Sequence, residues 1–336
     1  MPRTPRRRPT TYPIATRRFK VHVKDLGRPP READSFTAFW DSLPHLLAAD
    51  ALRAVVRAIA GARRAGKPVV FAFGAHVVKT GLSPTLIALM RARFVTALAT
   101  NGASGIHDFE LAYHGATSED VGSVLEDGEF GMSRETGVGV FRALREGRRK
   151  GWGYGRALGE FLLASHLPYK HLSVFATAAE LHLPVTVHVA LGTDTLAQHP
   201  GMDGALVGEM SMRDFATIQG VVARLGDGGV FLNVGSSVIL PEVFLKALSL
   251  SRNLGHDVRN FTTVDLDMIR HYRPHENVLK RPVLAGGASY ALTGHHEITV
   301  PLLAQALLLG LGGRAIGQSK GLIVATSSSL LTGLTM

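Results

Sequence analysis

Val69-Val70-Phe71-Ala72-Phe73-Gly74-Ala75-His76 decides how this chain is read: an unbroken apolar run stops abruptly at small and polar residues. Working outward, the same event recurs four times. Val95-Thr96-Ala97-Leu98-Ala99 runs into Thr100-Asn101-Gly102-Ala103-Ser104, and Val185 to Leu191 runs into Gly192-Thr193-Asp194. Val230-Phe231-Leu232 ends at Asn233-Val234-Gly235-Ser236-Ser237, and Phe261-Thr262-Thr263-Val264 ends at Asp265. Short apolar runs separated by helix-length segments are the pattern of strands buried on both faces of a parallel sheet. The expected fold is therefore α/β, a doubly wound parallel sheet. All strands of such a sheet end on one edge, so the polar stops converge on one crevice, where open α/β sheets bind ligands. One small-residue stop merely permits a tight turn; five together favour a shared site.

The chain has 336 residues and no cysteine, which excludes disulfides, thiolate nucleophiles and cysteine-ligated metal and suits a reducing cytoplasm. No apolar segment follows the first basic residues as a secretory signal would. The most apolar stretch, Ile298 to Gly310, contains Pro301 and Gln305 and is shorter than the roughly 20 residues of a membrane span. A soluble, cytoplasmic protein is expected. Nine of the ten excess positive charges fall in residues 1–31, where ten Lys/Arg meet one acid, Asp25. That Pro- and Arg-rich segment reads as a disordered basic tail, with a single domain over 32–336. No basic stripe with interleaved aromatics continues into the body, which argues against nucleic-acid binding.

Helical spacing over Ser35 to Ala65, broken at Pro44, predicts two helices before the first strand. Ser83 and Pro84 read as the cap and first residue of another. Glycines crowd Glu119 to Gly159 and predict a loop-rich insertion, a candidate lid or subunit contact, with a helix from about Gly155 to His166. Arg142, Arg145, Arg148, Arg149 and Lys150 there read as a solvated helix face.

The richest chemical segment is Thr100 to Glu110. Gly102 and Gly105 permit close backbone approach, and a helix beginning near Ile106 would aim free N–H groups at an anion. His107, Glu110 and His114 share a helical face, but the spacing matches no standard zinc pattern, and no metal is expected. Asp194 at a strand end suits a ribose hydroxyl or a substrate amine. Gly235-Ser236-Ser237 offers backbone approach and hydroxyls, Asp265 and Asp267 offer carboxylates, and Gly294-His295-His296-Glu297 precedes an apolar helix.

Gly74-Ala75-His76-Val77-Val78-Lys79-Thr80-Gly81-Leu82, followed by Thr100-Asn101-Gly102-Ala103, resembles the deoxyhypusine synthase family. Gly128-Glu129-Phe130, Gly192-Thr193-Asp194 and Gly235-Ser236-Ser237-Val238-Ile239 fall in that family's order, so the likeness spans about residues 65 to 310. It implies a Rossmann-like sheet, NAD as cofactor, a homotetramer and aminobutyl transfer from a polyamine. The chain departs from the family at Leu240, where the family's Gly-Gly-Gly-Val-Val-Lys-His-His carries a lysine; leucine forms no imine, and Lys246 lies about two turns further on. The family's late tryptophan-containing acidic motif is also not evident. The resemblance thus implies the fold and NAD, but not deoxyhypusine synthesis. A second, local likeness joins Asn101 to Glu110 and Tyr113-His114-Gly115 to archaeal-type ornithine cyclodeaminases, which use NAD to oxidise an amine transiently.

The resulting expectation is an NAD-dependent transferase or lyase acting on a small amine or polyamine. Gly74, Thr100, Gly102, Ala103, Asp194, Gly235 and Ser236 would bind the cofactor. His107, Asp108, Glu110 and His295 would serve catalysis, histidine being the base suited to neutral pH. A binding or scaffold protein that kept the fold without catalysis is the alternative.

Overall fold

A computed structural model describes residues 9–313. Residues 1–8 of the expected basic tail, and 314–336 of the expected domain, lie outside that range. Residues 9–24 are exposed. From Asp25 the segment is tied to the body, with His45 N donating to Asp25 O and Arg28 N to Ser42 O, each at 2.9 Å.

The five apolar runs are strands of one sheet: β1 (Val69–Phe73), β2 (Ala97–Asn101), β3 (Val185–His188), β4 (Val230–Val234) and β5 (Phe261–Asp267). A sixth, β6 (Gly287–Thr293), adds an edge that the apolar pattern did not announce, because its residues are mostly exposed or half-buried. Every pairing is parallel and the order is β3-β2-β1-β4-β5-β6. That is the Rossmann-like doubly wound order, with its reversal between β1 and β4.

Two helices precede the sheet as expected, α1 (Phe36–Ser42) and α2 (Leu47–Arg64). The others are α3 (His76–Lys79), α4 (Ser83–Arg91), α5 (Gly102–His114), α6 (Val121–Val124), α7 (Arg134–Arg149), α8 (Tyr154–Ala164), α9 (Val174–Glu180), α10 (Gly204–Val222), α11 (Ile239–Asn253), α12 (Tyr272–Pro274) and α13 (His296–Leu308). Alternate strand residues feed two cores. Phe71, Phe73, Leu98, Val187 and Leu232 pack with α2, α4, α5, α7, α8, α9 and α13; Val70, Ala72, Ala99 and Phe231 pack with α10 and α11.

Three local expectations are corrected. The stretch from Arg134 to Arg149 is a full helix, not loop, followed by α8 where a helix was expected. Helix α5 begins at Gly102, four residues before Ile106, because Asn101 caps it by accepting from Ser104 N at 3.1 Å. Ser83 is inside α4 rather than its cap, and its buried hydroxyl has no partner among the described residues.

At the reversal, a Cβ added to Gly74 would stand 2.3 Å from the Gly235 carbonyl oxygen, so only glycine lets these two turns meet. Gly74→Ala is expected to lower stability by about 1–3 kcal/mol, the usual cost of forcing extra volume into a packed site. A urea titration checks this: the midpoint falls and the slope stays unchanged.

Candidate functional site

The carboxyl ends of β3, β2, β1 and β4 lie side by side at about 4.8 Å per strand. They carry two polar clusters, one at the β1/β4 reversal and one where α5 meets the turn after β3.

At the reversal, Gly74 N donates to Val234 O and Gly235 N to Leu266 O, both at 3.0 Å, which locks the turns together. Ser236 caps α11 by accepting from Leu240 N at 3.2 Å, and its carbonyl accepts from Asn233 Nδ2 at 2.9 Å. Among the described residues, the N–H groups of Ala75, Ser236 and Ser237 donate to no other residue. Such free N–H groups, on turns facing each other across the reversal, suit the phosphates of a dinucleotide. His296, only 1% exposed, lies against Gly235 and edge-on to His76, with ring centroids 5.7 Å apart. Its Nε2 meets the Leu266 carbonyl at 3.1 Å, and its buried Nδ1 has no partner among the described residues. His295, the residue singled out from sequence, is instead exposed and 3.7 Å from Glu297.

The second cluster is built on one face of α5. Thr117 Oγ1 donates its proton to Glu110 Oε2 at 2.5 Å, so the 2.7 Å contact between His107 Nδ1 and Thr117 Oγ1 has Nδ1–H as its donor, which places the imidazole proton on Nδ1. His107 Nε2 is then left as a base. Thr136 reaches Glu110 Oε1 at 3.3 Å from α7. Burial pushes the Glu110 carboxyl up, but His107, Thr117 and Thr136 together hold it below its ordinary value. Asp194 accepts from the Ala103 N–H, and its carboxylate fills the space that a Cβ on Gly102 would take, 1.9 Å from that position. The N-terminus of α5 is thus occupied by the protein's own carboxylate. Burial raises the Asp194 pKa to about 6, against the pull of the Ala103 N–H and His107. Thr100 is fully buried; its hydroxyl meets Phe73 O at 2.7 Å and Ser104 Oγ at 2.5 Å.

Asp108 lies apart from both clusters. Its oxygens accept from Ser173 Oγ at 2.5 Å and Val174 N at 2.7 Å, capping α9, and burial raises its pKa to about 6. Asp265 accepts from Asn233 Nδ2 at 2.8 Å, and burial raises it likewise to about 6. Leu240 is buried in the core against α10 and β4, and Lys246 is an exposed partner of Glu242. His114 is exposed, and among the described residues no three His, Asp or Glu side chains are placed to hold a metal. No described helix is long and apolar enough to cross a membrane.

Two relevant side chains were not singled out from sequence. Tyr154 is 1% exposed, its hydroxyl has no partner among the described residues, and its one cue is its place between Gly153 and Gly155. His296 adjoins the chosen His295, and nothing in a His-His pair tells which ring turns inward.

No family model matches the chain, and no curated protein does. Solved structures do. An LOR/SDH-like conserved protein from Methanococcus maripaludis S2 is 12% identical, with TM-score 0.50, covering 92% of this chain and 76% of its own. AgrE in ternary complex with ornithine and NAD+ is 15% identical, with TM-score 0.49 and 77% coverage of this chain. A deoxyhypusine synthase-like protein from Entamoeba histolytica is 11% identical, with TM-score 0.48, covering 83% of this chain and 94% of its own. This chain spans about a third, 33%, of the length of AgrE. At these identities the likeness shows the fold.

The buried carboxylates give the fold a pH dependence. Asp108, Asp194 and Asp265 stand at about 6 and Asp214 at about 7, against an ordinary 3.8. A carboxyl raised on folding holds its proton more tightly folded than unfolded. Its stabilising contribution is complete below the unfolded value and is lost as pH rises through 6 to 7. Burial of His188, lowered to about 4, acts the opposite way below pH 6.5 but is one group against four. The melting temperature is therefore expected to be higher at pH 5 than at pH 8. In calorimetric scans, Asp214→Asn should shrink that difference.

Proposed function

We propose that this chain is an NAD-dependent enzyme that oxidises a small aliphatic amine. One observation carries the chemistry: Glu110, Thr117 and His107 form a hydrogen-bonded chain that fixes the proton on Nδ1 and presents Nε2 as a base. The cofactor is assigned to the β1/β4 reversal, where Gly74, Ala75, Gly235 and Ser236 hold two backbone turns in contact with free N–H groups. Thr100, Gly102 and Ala103 form the neighbouring floor, and Asp194 stands between the floor and His107.

Bound NAD would supply a hydride acceptor. His107 Nε2 takes a proton from the substrate ammonium, leaving a neutral amine. The amine's α-carbon then loses hydride, the nitrogen lone pair forms the C=N bond, and the substrate becomes an iminium ion. Glu110, kept anionic by its partners, stabilises the imidazolium formed in the first step. Asp108 has no part in this scheme, because its oxygens serve α9. Position 240 offers no lysine for an enzyme-bound imine, which sets the proposed reaction apart from deoxyhypusine synthesis. The iminium can pass to a second amine, as in an aminobutyl transferase, or lose ammonia by hydrolysis or cyclisation, as in a lyase. Exposed Ile269 and Tyr272, just past β5, support a homo-oligomer adjoining the crevice.

The test is NADH formation at 340 nm with a panel of polyamines and basic amino acids. His107→Ala is expected to lower kcat about 10²- to 10⁴-fold, the range for a lost general base, while NAD binding by calorimetry persists. Turnover that survives His107→Ala overturns the assignment, and NAD binding without turnover of any amine identifies a binding protein instead.

A further inference from the structure

Four arginines and one glutamate line an open groove of about 460 Å³ between α7 and α10: Arg145, Arg148 and Arg149 from α7, Glu209 and Arg213 from α10. The sequence suggests one solvated face of cations on α7, but the structure divides them. Arg142 turns away to Glu146, at 3.0 Å, and to the Phe161 ring, 5.7 Å from its centroid. Lys150 turns to Trp152, whose ring also carries Arg156. The other three meet α10 in a concave site that no single helix could present.

The floor of the groove is fixed by the protein itself. Arg213 donates from one terminal nitrogen to the Arg148 carbonyl at 3.2 Å and the Trp152 carbonyl at 3.1 Å, closing the C-terminus of α7. Its other terminal nitrogen bonds Glu209, and Glu209 also holds Arg148 Nε at 2.8 Å. Glu209 is the one acid lining the groove, and both its oxygens are engaged. Arg145 and Arg149 are exposed, with no hydrogen-bonding or carboxylate partner among the described residues. The last-turn position of Arg148 and Arg149 complements the α7 dipole. That does not account for Arg145, a turn earlier, or for four like charges gathered around one carboxylate, which repel one another until an anion answers them.

The side chains also define the anion. All four cations are arginine, whose planar fork matches two oxygens of a phosphate group. Arg145, Arg149 and the terminal nitrogens of Arg148 offer three such forks, so the fitting ligand carries more than one anionic group. The volume lies in the range of small-molecule sites. A nucleic acid strand is poorly served, because the Trp152 ring beside the groove is already taken up by Lys150 and Arg156 rather than free to stack on a base. From Thr136, which reaches Glu110, α7 rises roughly 18 Å to Arg148. The groove therefore stands apart from the strand-end crevice.

We propose that the groove formed by Arg145, Arg148, Arg149 and Arg213 binds a linear oligophosphate, either free or as the phosphate chain of a nucleotide. This goes beyond the amine-oxidising reading and does not depend on it.

Titration calorimetry on the full chain tests the groove, with tripolyphosphate, pyrophosphate and ATP compared against orthophosphate, sulfate and a single-stranded oligonucleotide. Tripolyphosphate is expected to bind more tightly than orthophosphate or sulfate, and added NaCl to weaken it. Arg145→Gln/Arg149→Gln should weaken tripolyphosphate binding at least about tenfold, as for lost hydrogen bonds to charged groups, with the melting temperature unchanged. Arg145→Lys/Arg149→Lys keeps the charge but loses the forks and should fall between. Residues 1–31 are also basic, so Arg6→Gln/Arg7→Gln/Arg8→Gln/Arg17→Gln/Arg18→Gln is the control and should leave the groove's affinity unchanged. ATP bound no more tightly than tripolyphosphate assigns the phosphate chain alone, and tighter ATP binding assigns a nucleotide. No oligophosphate binding, binding unchanged in Arg145→Gln/Arg149→Gln, loss only in the control variant, or a groove-dependent preference for the oligonucleotide would overturn the proposal. NAD affinity should be the same in Arg145→Gln/Arg149→Gln as in the unaltered chain. Its loss together with that of tripolyphosphate would make the groove the cofactor's own site and overturn the proposal of a separate one.

Discussion

The contact between Gly74 and Gly235 is the constraint on which the rest depends. In a doubly wound sheet the chain leaves β1 and β4 toward opposite faces, which opens a gap between their carboxyl ends. Here the gap is narrowed until a carbonyl oxygen fills the place of a Cβ. Two reciprocal features hold it: Gly74 N bonds to Val234 O, and Gly235, at φ +66, turns back toward Leu266 O. That φ suits glycine, and a side chain there would also strike the His296 ring. The turn geometry, the free N–H groups of Ala75, Ser236 and Ser237, and the inward placement of His296 follow from this one approach.

A second theme is the use of buried carboxylates in place of longer secondary structure. Asp108 gathers Ser173 and the first N–H groups of α9; Asp214 binds Gly155 N at 2.8 Å and Val187 N at 2.7 Å, joining α8 to β3. Asp194 does the same for α5. Each carboxylate satisfies donors that a helix start or strand end leaves open. Burial opposes the charge each time; backbone N–H groups and a neutral hydroxyl answer it, joined at Asp194 by the weaker field of His107. Glu110 differs: it has a histidine partner, and it alone of these carboxyls is held below its ordinary value.

These features explain what the sequence reveals and what it hides. β1 to β5 are legible because both faces are covered, so each is an apolar run ending in small residues. β6, an edge strand reading Gly-Ala-Ser-Tyr-Ala-Leu-Thr, carries no such run. Helix α7 is hidden by glycines that signal loop yet serve packing. A Cβ at Gly139 would lie 2.3 Å from the Phe109 ring, and one at Gly147 would lie 2.2 Å from the Ala157 Cβ. The same ambiguity misplaces the start of α5, where Gly102 makes room for Asp194. The shared face of His107 and Glu110 is visible from helical spacing, but Thr117, which joins them, arrives from a loop. Which of His295 and His296 turns inward depends on Gly235, sixty residues earlier in the chain, and no local pattern carries that information.

The division of polar groups along the crevice also bears on how one edge could serve the two ligands proposed for it. A helix N-terminus beside a parallel strand is a ready seat for a phosphate, and α5 has the glycine that would allow close approach. Asp194 takes that seat, so an anionic ligand there would meet a carboxylate already bound to the same N–H group. The reversal has the opposite character: the N–H groups of Ala75, Ser236 and Ser237 have no acceptor among the described residues, and its turns carry no acidic side chain. The proposed cofactor phosphates and amine would thereby be drawn to different ends of one edge, within roughly 15 Å at ordinary strand spacing. Leu240 fits this arrangement, since it points into the core beside Phe244 rather than toward either end. The electrostatic asymmetry of the edge, more than any single motif, is the physical basis of the function proposed above.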